Sequence, residues 1–284
     1  MVRLSAFADE ASSSLSGQIE ALKRNGIGYI EIRGINGTNI SNITEEDARV
    51  YAKQLSDAGI KVWSIGSPVG KIKLGDYSLE YKEKVRHIAR LAKIFGTDKI
   101  RMFSFYDAYE NEAGVFEALS ELVKLAKEEG VTLCHENEKQ IYGDKVERIV
   151  RLKNCVGGMA YVFDPANFIE VGEDIGVALD TLFDITEYFH IKDAIYETGE
   201  IVPAGYGDGR LAELVSRLPQ DRDIVLSIEP HLAVFSGYSE IDNTEMKNKF
   251  CYENNDRAFD AAAEAIKKLL TEAGYREKDG GFSK

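Results

Sequence analysis

Cysteine is scarce in this sequence, and the three that occur, Cys134, Cys155 and Cys251, lie far apart with no CxxC pair. That excludes a disulfide framework and points to reduced thiols in a cytoplasmic protein. Long apolar runs are also missing. No segment approaches the ~20 residues that a membrane helix requires. The opening stretch, MVRLSAFADEASSS, lacks an apolar h-region and reaches acids at Asp9 and Glu10, which excludes a signal peptide. Basic charge is the third shortage. Lys and Arg number 35 against 48 Asp and Glu, a net charge of −13, which excludes a general affinity for nucleic acid or anionic membrane. What remains is ordinary for a globular protein: 284 residues, 44% hydrophobic and 29% charged, enough for one barrel-sized domain or two smaller ones.

Short runs rich in β-branched and aromatic residues recur along the chain. They are VRLSAF (2–7), IGYIEIR (27–33), IKVWSIG (60–66), DKIRMFSF (98–105), VTLCHEN (131–137), GGMAYVFD (157–164), EYFHIKD (187–193) and DIVLSIE (223–229). Amphipathic helical stretches separate them. One starts at Thr44 as N-cap with Asp47 at the capping-box position and stops at Gly59. Another places Val85, Ile88, Leu91, Ala92 and Phe95 on one face and ends at Gly96. Two more close at Gly130 and Gly274, and shorter helices are expected near 15–25, 144–153, 173–185 and 210–217. Strand then helix, repeated eight times, predicts parallel strands joined by crossover helices in a single (β/α)8 TIM barrel over 1–275. A doubly wound sheet is the rival, but no strand runs into GxGxxG. The polar, Gly-rich residues 276–284 are expected to form a flexible tail.

In such a barrel the active site is built at the carboxyl ends of the strands. Read in order, strand five ends at Glu136, strand six at Asp164, strand seven carries His190 and strand eight ends at Glu229. Taken singly, Asp164 before Pro165 is turn chemistry, a lone His is a hydrogen-bonded structural residue, and a strand-end Glu is solvated. Together they put three carboxylates and an imidazole on one rim, where mutual repulsion calls for a cation. That donor set suits one divalent ion, Mn²⁺ first, with Zn²⁺, Co²⁺ or Mg²⁺ as the other fits.

The ordered elements HENE, FDPAN, FHIKD and SIEP resemble the xylose isomerase-like TIM barrels. Within them the chain is most similar to the sugar phosphate isomerase/epimerase branch, which includes ketose 3-epimerases and inosose dehydratases. The resemblance spans essentially the whole chain. It implies that Glu136, Asp164, His190 and Glu229 bind the metal, and that Glu136 and Glu229 are also the catalytic acid/base pair. The substrate-binding candidates are Arg33 and Glu138 at the rim, with Asn167, Lys192 and Asp193. Asn167 stands where 3-epimerases often carry a His, and Lys192 and Asp193 are the nearest polar groups where those enzymes carry an Arg. Trp63 and the run FSFY (103–106) are read as an apolar wall for a sugar ring or as core packing. AGYGDGR (204–210) is read as a loop offering backbone amides to a ligand or simply needing its glycines.

The chemistry implied is metal-assisted proton abstraction beside a carbonyl in a ketose, cyclitol or related polyol, giving isomerisation or epimerisation. Dehydration of an inosose, or cleavage of a C-glycoside, is the alternative on the same site. A non-catalytic sugar-binding or partner subunit is the reading from another class. Endonuclease IV-type repair enzymes share the fold but use a His-rich trinuclear zinc site, and four histidines are too few for it. The expected partner is therefore a small sugar or polyol, with no nucleic acid and no membrane. The aromatic stretch AVFSGYS (233–239) reads as an interface or lid, which leaves room for a homo-oligomer.

Overall fold

The computed structural model describes residues 1–234 and 250–284, so residues 235–239 of the aromatic stretch lie outside the described residues. All eight expected strands are present: β1 (Val2–Ala6), β2 (Tyr29–Ile32), β3 (Lys61–Gly66), β4 (Lys99–Met102), β5 (Thr132–Glu136), β6 (Ala160–Phe163), β7 (Thr186–Ile191) and β8 (Ile224–Ile228). They pair in parallel in the order β1-β8-β7-β6-β5-β4-β3-β2. β1 and β2 come into contact and close the ring, but no ladder joins them. This is the (β/α)8 barrel that the strand–helix alternation predicts.

The helices are α1 (Leu15–Arg24), α2 (Glu45–Asp57), α3 (Leu79–Phe95), α4 (Glu112–Glu129), α5 (Val146–Cys155), α6 (Pro165–Glu170), α7 (Ile175–Leu182), α8 (Leu211–Arg217) and α9 (Asn255–Glu272). Their ends follow the expected chemistry. Thr44 accepts the Asp47 amide at the start of α2, and its hydroxyl donates to the Asp47 carboxylate at 2.7 Å. Gly96 and Gly130 terminate α3 and α4 at φ 76° and 74°, a conformation costly for any residue with a Cβ. Val85, Ile88, Leu91, Ala92 and Phe95 are all buried, so α3 packs on its predicted face. Burying a side chain the size of the Val, Ile, Leu or Phe here contributes roughly 1.5–3 kcal/mol. None of the described helices is long and apolar enough to cross a membrane.

Residues 276–284 depart from the expectation of a flexible tail. Arg276–Lys278 and Gly281–Ser283 form an antiparallel hairpin, and Phe282 pairs with Val2 on the edge of β1 that β8 leaves free. The turn is Asp279–Gly280, both with positive φ (50° and 69°), the geometry that matches the twist of a two-residue hairpin. Burial of Phe282 is what ties an otherwise polar segment down.

Inside the barrel the packing changes along the axis. Cys134, Val162, Tyr188 and Val225, with Trp63 and Ala160 against them, form an apolar plug separate from the main core. Trp63 therefore belongs to this plug and does not line the mouth, because it sits early in β3 while the mouth lies at the carboxyl end. Phe103 and Phe105 are buried as well. Beyond the plug, toward the carboxyl ends, the inward side chains turn polar: Glu31, Ser64, Arg101, Ser227 and His190 are all buried.

Candidate metal centre

Four consecutive strands deliver the centre. Glu136 is the last residue of β5, Asp164 follows β6, His190 lies near the end of β7 and Glu229 follows β8. Strand alternation sends Glu136 inward and leaves His135 outward, where it packs beside Tyr161 under the helical layer. All four side chains are buried, and one ligand atom from each lies within 4.8 Å of the others. His190 Nδ1 is the hub, 2.8 Å from Glu136 Oε1, 3.5 Å from Glu229 Oε2 and 4.0 Å from Asp164 Oδ2.

Each of the four side chains is held by its own supports. The two oxygens of Asp164 divide between the two roles expected of it. Oδ1 caps α6 by accepting the Asn167 amide at 3.0 Å, and Oδ2 faces the cluster. Asn137 locks the same residue by bonding its backbone N–H and C=O, both at 2.8 Å. Asn167 donates to Glu136 Oε1 at 3.3 Å and to the Asn137 carbonyl at 2.8 Å. Arg101 Nε sits 3.2 Å from the other oxygen of Glu136. Phe7 walls the centre. Its ring meets His190 edge-on at 5.2 Å and lies under the guanidinium groups of Arg33 and Arg101. A Cβ at Gly66 would come within 2.6 Å of that ring, so the end of β3 has to be glycine.

Electrostatics test whether these residues fit a cation. Asp164 Oδ2 is buried without a hydrogen-bond donor, although Lys192 Nζ lies 2.9 Å away as an ion-pair partner. The same ammonium is 3.2 Å from Glu229 Oε2, so it touches two of the oxygens that a metal would take. Burial pushes the Asp164 carboxyl up to about 7, more than Lys192 offsets. Burial would also raise Glu136, but the His190 and Arg101 charges hold it down at about 2. Glu229 is kept well below the usual carboxylate range against burial, chiefly by Lys192 and a hydrogen bond with His190. For His190 burial is likewise outweighed, and Glu136 and Glu31 raise its pKa well above the ordinary imidazole value. Three acidic oxygens around one nitrogen demand positive charge. A divalent ion on this oxygen-and-imidazole set meets that demand, and the residues fit it.

The remaining sequence candidates divide. Arg33 is at the rim, bonded to Asp9 at 2.9 Å, Glu10 at 3.0 Å and Glu229 Oε1 at 3.3 Å. His231 stands beside it, 3.5 Å from Glu229 Oε1, and with Glu10 completes a second acidic group whose positive charge Arg33 already supplies. Glu138 is paired with Lys71 at 2.8 Å, and that ammonium lies over the Phe103 ring. Lys192 is inside the centre. Asn167 is buried among protein partners. Asp193 faces away from the cluster: its carboxylate accepts the backbone N–H groups of Ala194, Gly205, Gly207 and Gly209 at 2.8–3.0 Å. The amides of AGYGDGR thus do meet an anion, and it is one from this chain. A Cβ at Gly209 would fall 2.7 Å from Asp193 Oδ1, which accounts for that glycine.

Two buried charges escaped the sequence reading as members of the centre. Arg101 and Glu31 sit within strands, where IRM and IEI alternation looks like a solvent face, yet in a barrel that face is the interior. Glu31 is fully buried across the barrel from β5 and contacts His190 Nε2 at 3.2 Å.

Solved structures share this architecture. The probable 3-DHS dehydratase AsbF of Bacillus anthracis is similar at a TM-score of 0.71 and 18% identity, over 94% of this chain and 99% of that one. An L-ribulose 3-epimerase is similar at 0.69 and 20%, over 96% of both chains. A D-tagatose 3-epimerase-like protein is similar at 0.70 and 15%, over 95% of this chain and 98% of that one. At such identities the likeness is one of fold. No curated protein sequence matches the chain. The model of one family, described as the xylose isomerase-like TIM barrel, matches residues 19–269, and the chain belongs to that family.

Proposed function

We propose that the protein is a divalent-metal-dependent isomerase or epimerase that moves a proton beside the carbonyl of a ketose, cyclitol or related polyol. One observation carries the reading: Glu136, Asp164, His190 and Glu229 converge from four successive strands at the carboxyl end of the barrel. These residues would hold the ion, Mn²⁺ first, which would supply Lewis-acid stabilisation to the oxygens of an enediolate. Glu136 and Glu229 are both held ionised, so either can accept the carbon-bound proton. The electron pair left behind moves onto the carbonyl oxygen. The opposing carboxylate, ionised at rest, takes a proton from solvent once the enediolate has formed and passes it to carbon. Glu136 leaves β5 and Glu229 leaves β8, so the two address a bound sugar from different sides, and removal on one face with return on the other inverts the centre. Arg33, Lys192 and Glu138 are the groups assigned to substrate hydroxyls, whereas Asn167 and Asp193 act by holding Glu136 and the 203–209 loop. The free cysteines support a cytoplasmic location.

Dehydration is the second reading, favoured by the buried ammonium of Lys192 beside Glu229. Placed there it can protonate a departing hydroxyl after the same proton abstraction. The test is a screen of ketoses and inososes with added Mn²⁺, followed by NMR in D₂O, together with metal analysis of the protein. Carbon-bound deuterium in a recovered or epimerised ketose supports epimerisation, and an unsaturated product supports dehydration. Absence of both metal uptake and exchange would refute the enzyme reading.

A further inference from the structure

We infer that Glu31 is a positioning residue of the metal centre, holding the His190 ring so that Nδ1 is the nitrogen offered to the ion. The inference rests on the four-ligand reading above and assigns a role to a residue outside that set. Glu31 lies on β2, two and three strands round the ring from its contacts on β8 and β7, and is completely buried. Its register is unusual. The pairing of β2 with β3 slips between Ile30 and Glu31, which brings Glu31 opposite Ser64.

Three donors converge on this one carboxylate. Tyr188 OH donates to Oε1 at 2.8 Å, Ser227 Oγ donates to Oε2 at 2.8 Å, and His190 Nε2 lies 3.2 Å from Oε2. The donors come from β7 and β8, the strands that also deliver His190 and Glu229. Tyr188 is braced in turn by Ser64 Oγ at 3.3 Å. Both ring nitrogens face carboxylates that can only accept, Nε2 toward Glu31 and Nδ1 toward Glu136 at 2.8 Å, but only Nδ1 also faces Asp164 and Glu229. A cation among those three carboxylates would take the place of the hydrogen on Nδ1, while Glu31 keeps the one on Nε2.

A buried carboxylate with several donors could also serve only to satisfy a polar layer in the barrel. Two features point beyond that. Tyr188 already reaches the neutral Ser64 hydroxyl without an acid, and burying a carboxylate is expensive where a neutral acceptor would do. The acid is needed where the ring it holds must be fixed in one tautomer and made a stronger electron donor, which is the service a carboxylate gives a metal-bound histidine.

The test uses the full-length protein with Mn²⁺ or Zn²⁺ as the probe. Calorimetric titration compares the parent with Glu31→Gln and Glu31→Asp. Long-range ¹H–¹⁵N spectra of ¹⁵N-histidine-labelled protein loaded with diamagnetic Zn²⁺ report which ring nitrogen of His190 carries hydrogen. Expected are a Zn²⁺-bound Nδ1 with hydrogen on Nε2 in the parent, and Mn²⁺ binding weakened about 10- to 100-fold in Glu31→Gln. Glu31→Asp, still an acceptor, should fall between the two and keep the Nε2–H signature. A purely structural role would move the unfolding midpoint and leave the ring pattern untouched. Metal on Nε2 in the parent overturns the inference by itself, even if no variant folds. Parent-like Mn²⁺ affinity in folded Glu31→Gln overturns it as well, while the four-ligand reading stands. A parent that takes up neither ion overturns that reading and this inference with it.

Discussion

Replacing Asp193 with Asn should release the loop that follows β7 without unfolding the barrel. In the parent, Oδ1 accepts from Ala194 and Gly209, and Oδ2 accepts from Gly205 and Gly207. An Asn side chain keeps one oxygen, so whichever way it turns, two backbone N–H groups face an NH₂ group. A hydrogen bond to a charged group contributes ~1.5–3 kcal/mol, so losing two costs ~3–6 kcal/mol locally. Burial pushes the Asp193 carboxyl up despite its four donors, so the substitution also removes a desolvation cost. The low end, ~3 kcal/mol, is therefore the better figure, and at ~1.4 kcal/mol per decade it is about a 10²-fold change in local opening. Global stability should fall by no more than the same ~3 kcal/mol, which a domain with the usual ~5–15 kcal/mol survives folded. The assay is amide hydrogen exchange across 203–210, which reads local opening directly. Gly205, Gly207 and Gly209 should exchange about 10²-fold faster in Asp193→Asn while β7 and β8 keep parental protection. Unchanged protection at those three glycines would refute the argument that the carboxylate orders the loop.

Glu136→Gln and Glu229→Gln should each lower turnover by at least ~10²-fold on whichever substrate the screen identifies, with the circular dichroism spectrum preserved. A near-parental rate in metal-loaded Glu229→Gln would remove that residue from proton transfer. Phe282→Ala should cost ~3 kcal/mol in urea unfolding, the low end for a buried Phe because the hairpin sits at an edge. A loss below ~0.5 kcal/mol would show that the hairpin adds nothing to the barrel, being no larger than an ordinary surface substitution. Cys155 is exposed and should alkylate readily, whereas Cys134 is buried and its thiol is pushed well up by desolvation, so it should react only after unfolding. Modification of Cys134 in the native protein, mapped by mass spectrometry, would contradict the apolar plug.

Much of this architecture was legible because two periodicities alternate cleanly. Apolar runs bounded by N-caps and glycine stops set the eight strands and the long helices. The four candidate ligands were legible because chain direction alone places a strand's last residue at the mouth. Residues inside the strands were harder. In β2 the inward series is Tyr29, Glu31 and Arg33, and polar alternation of that kind is the pattern of a wetted sheet face. Only ring closure makes it an interior. Trp63 left two readings open for a related reason, since an aromatic side chain announces packing but not depth along the axis. Asp193 and the glycines that it binds are separated in sequence, and no local pattern pairs them. The terminal hairpin did leave a signal, Asp279–Gly280, which polar composition around it masked.

The hairpin also bears on the order in which the molecule is assembled. Within the described barrel, β1 is made first, yet its ladder partners are β8 on one side and, at Val2 alone, Phe282 on the other. Among these eight strands, the first made is thus the last to gain both of its ladder partners. Every other adjacent pair in the ladder except β1–β8 joins strands consecutive in synthesis and can form as the chain lengthens. Until the final segment arrives, an apolar strand with open hydrogen-bonding edges is available to chaperones or to a second nascent chain.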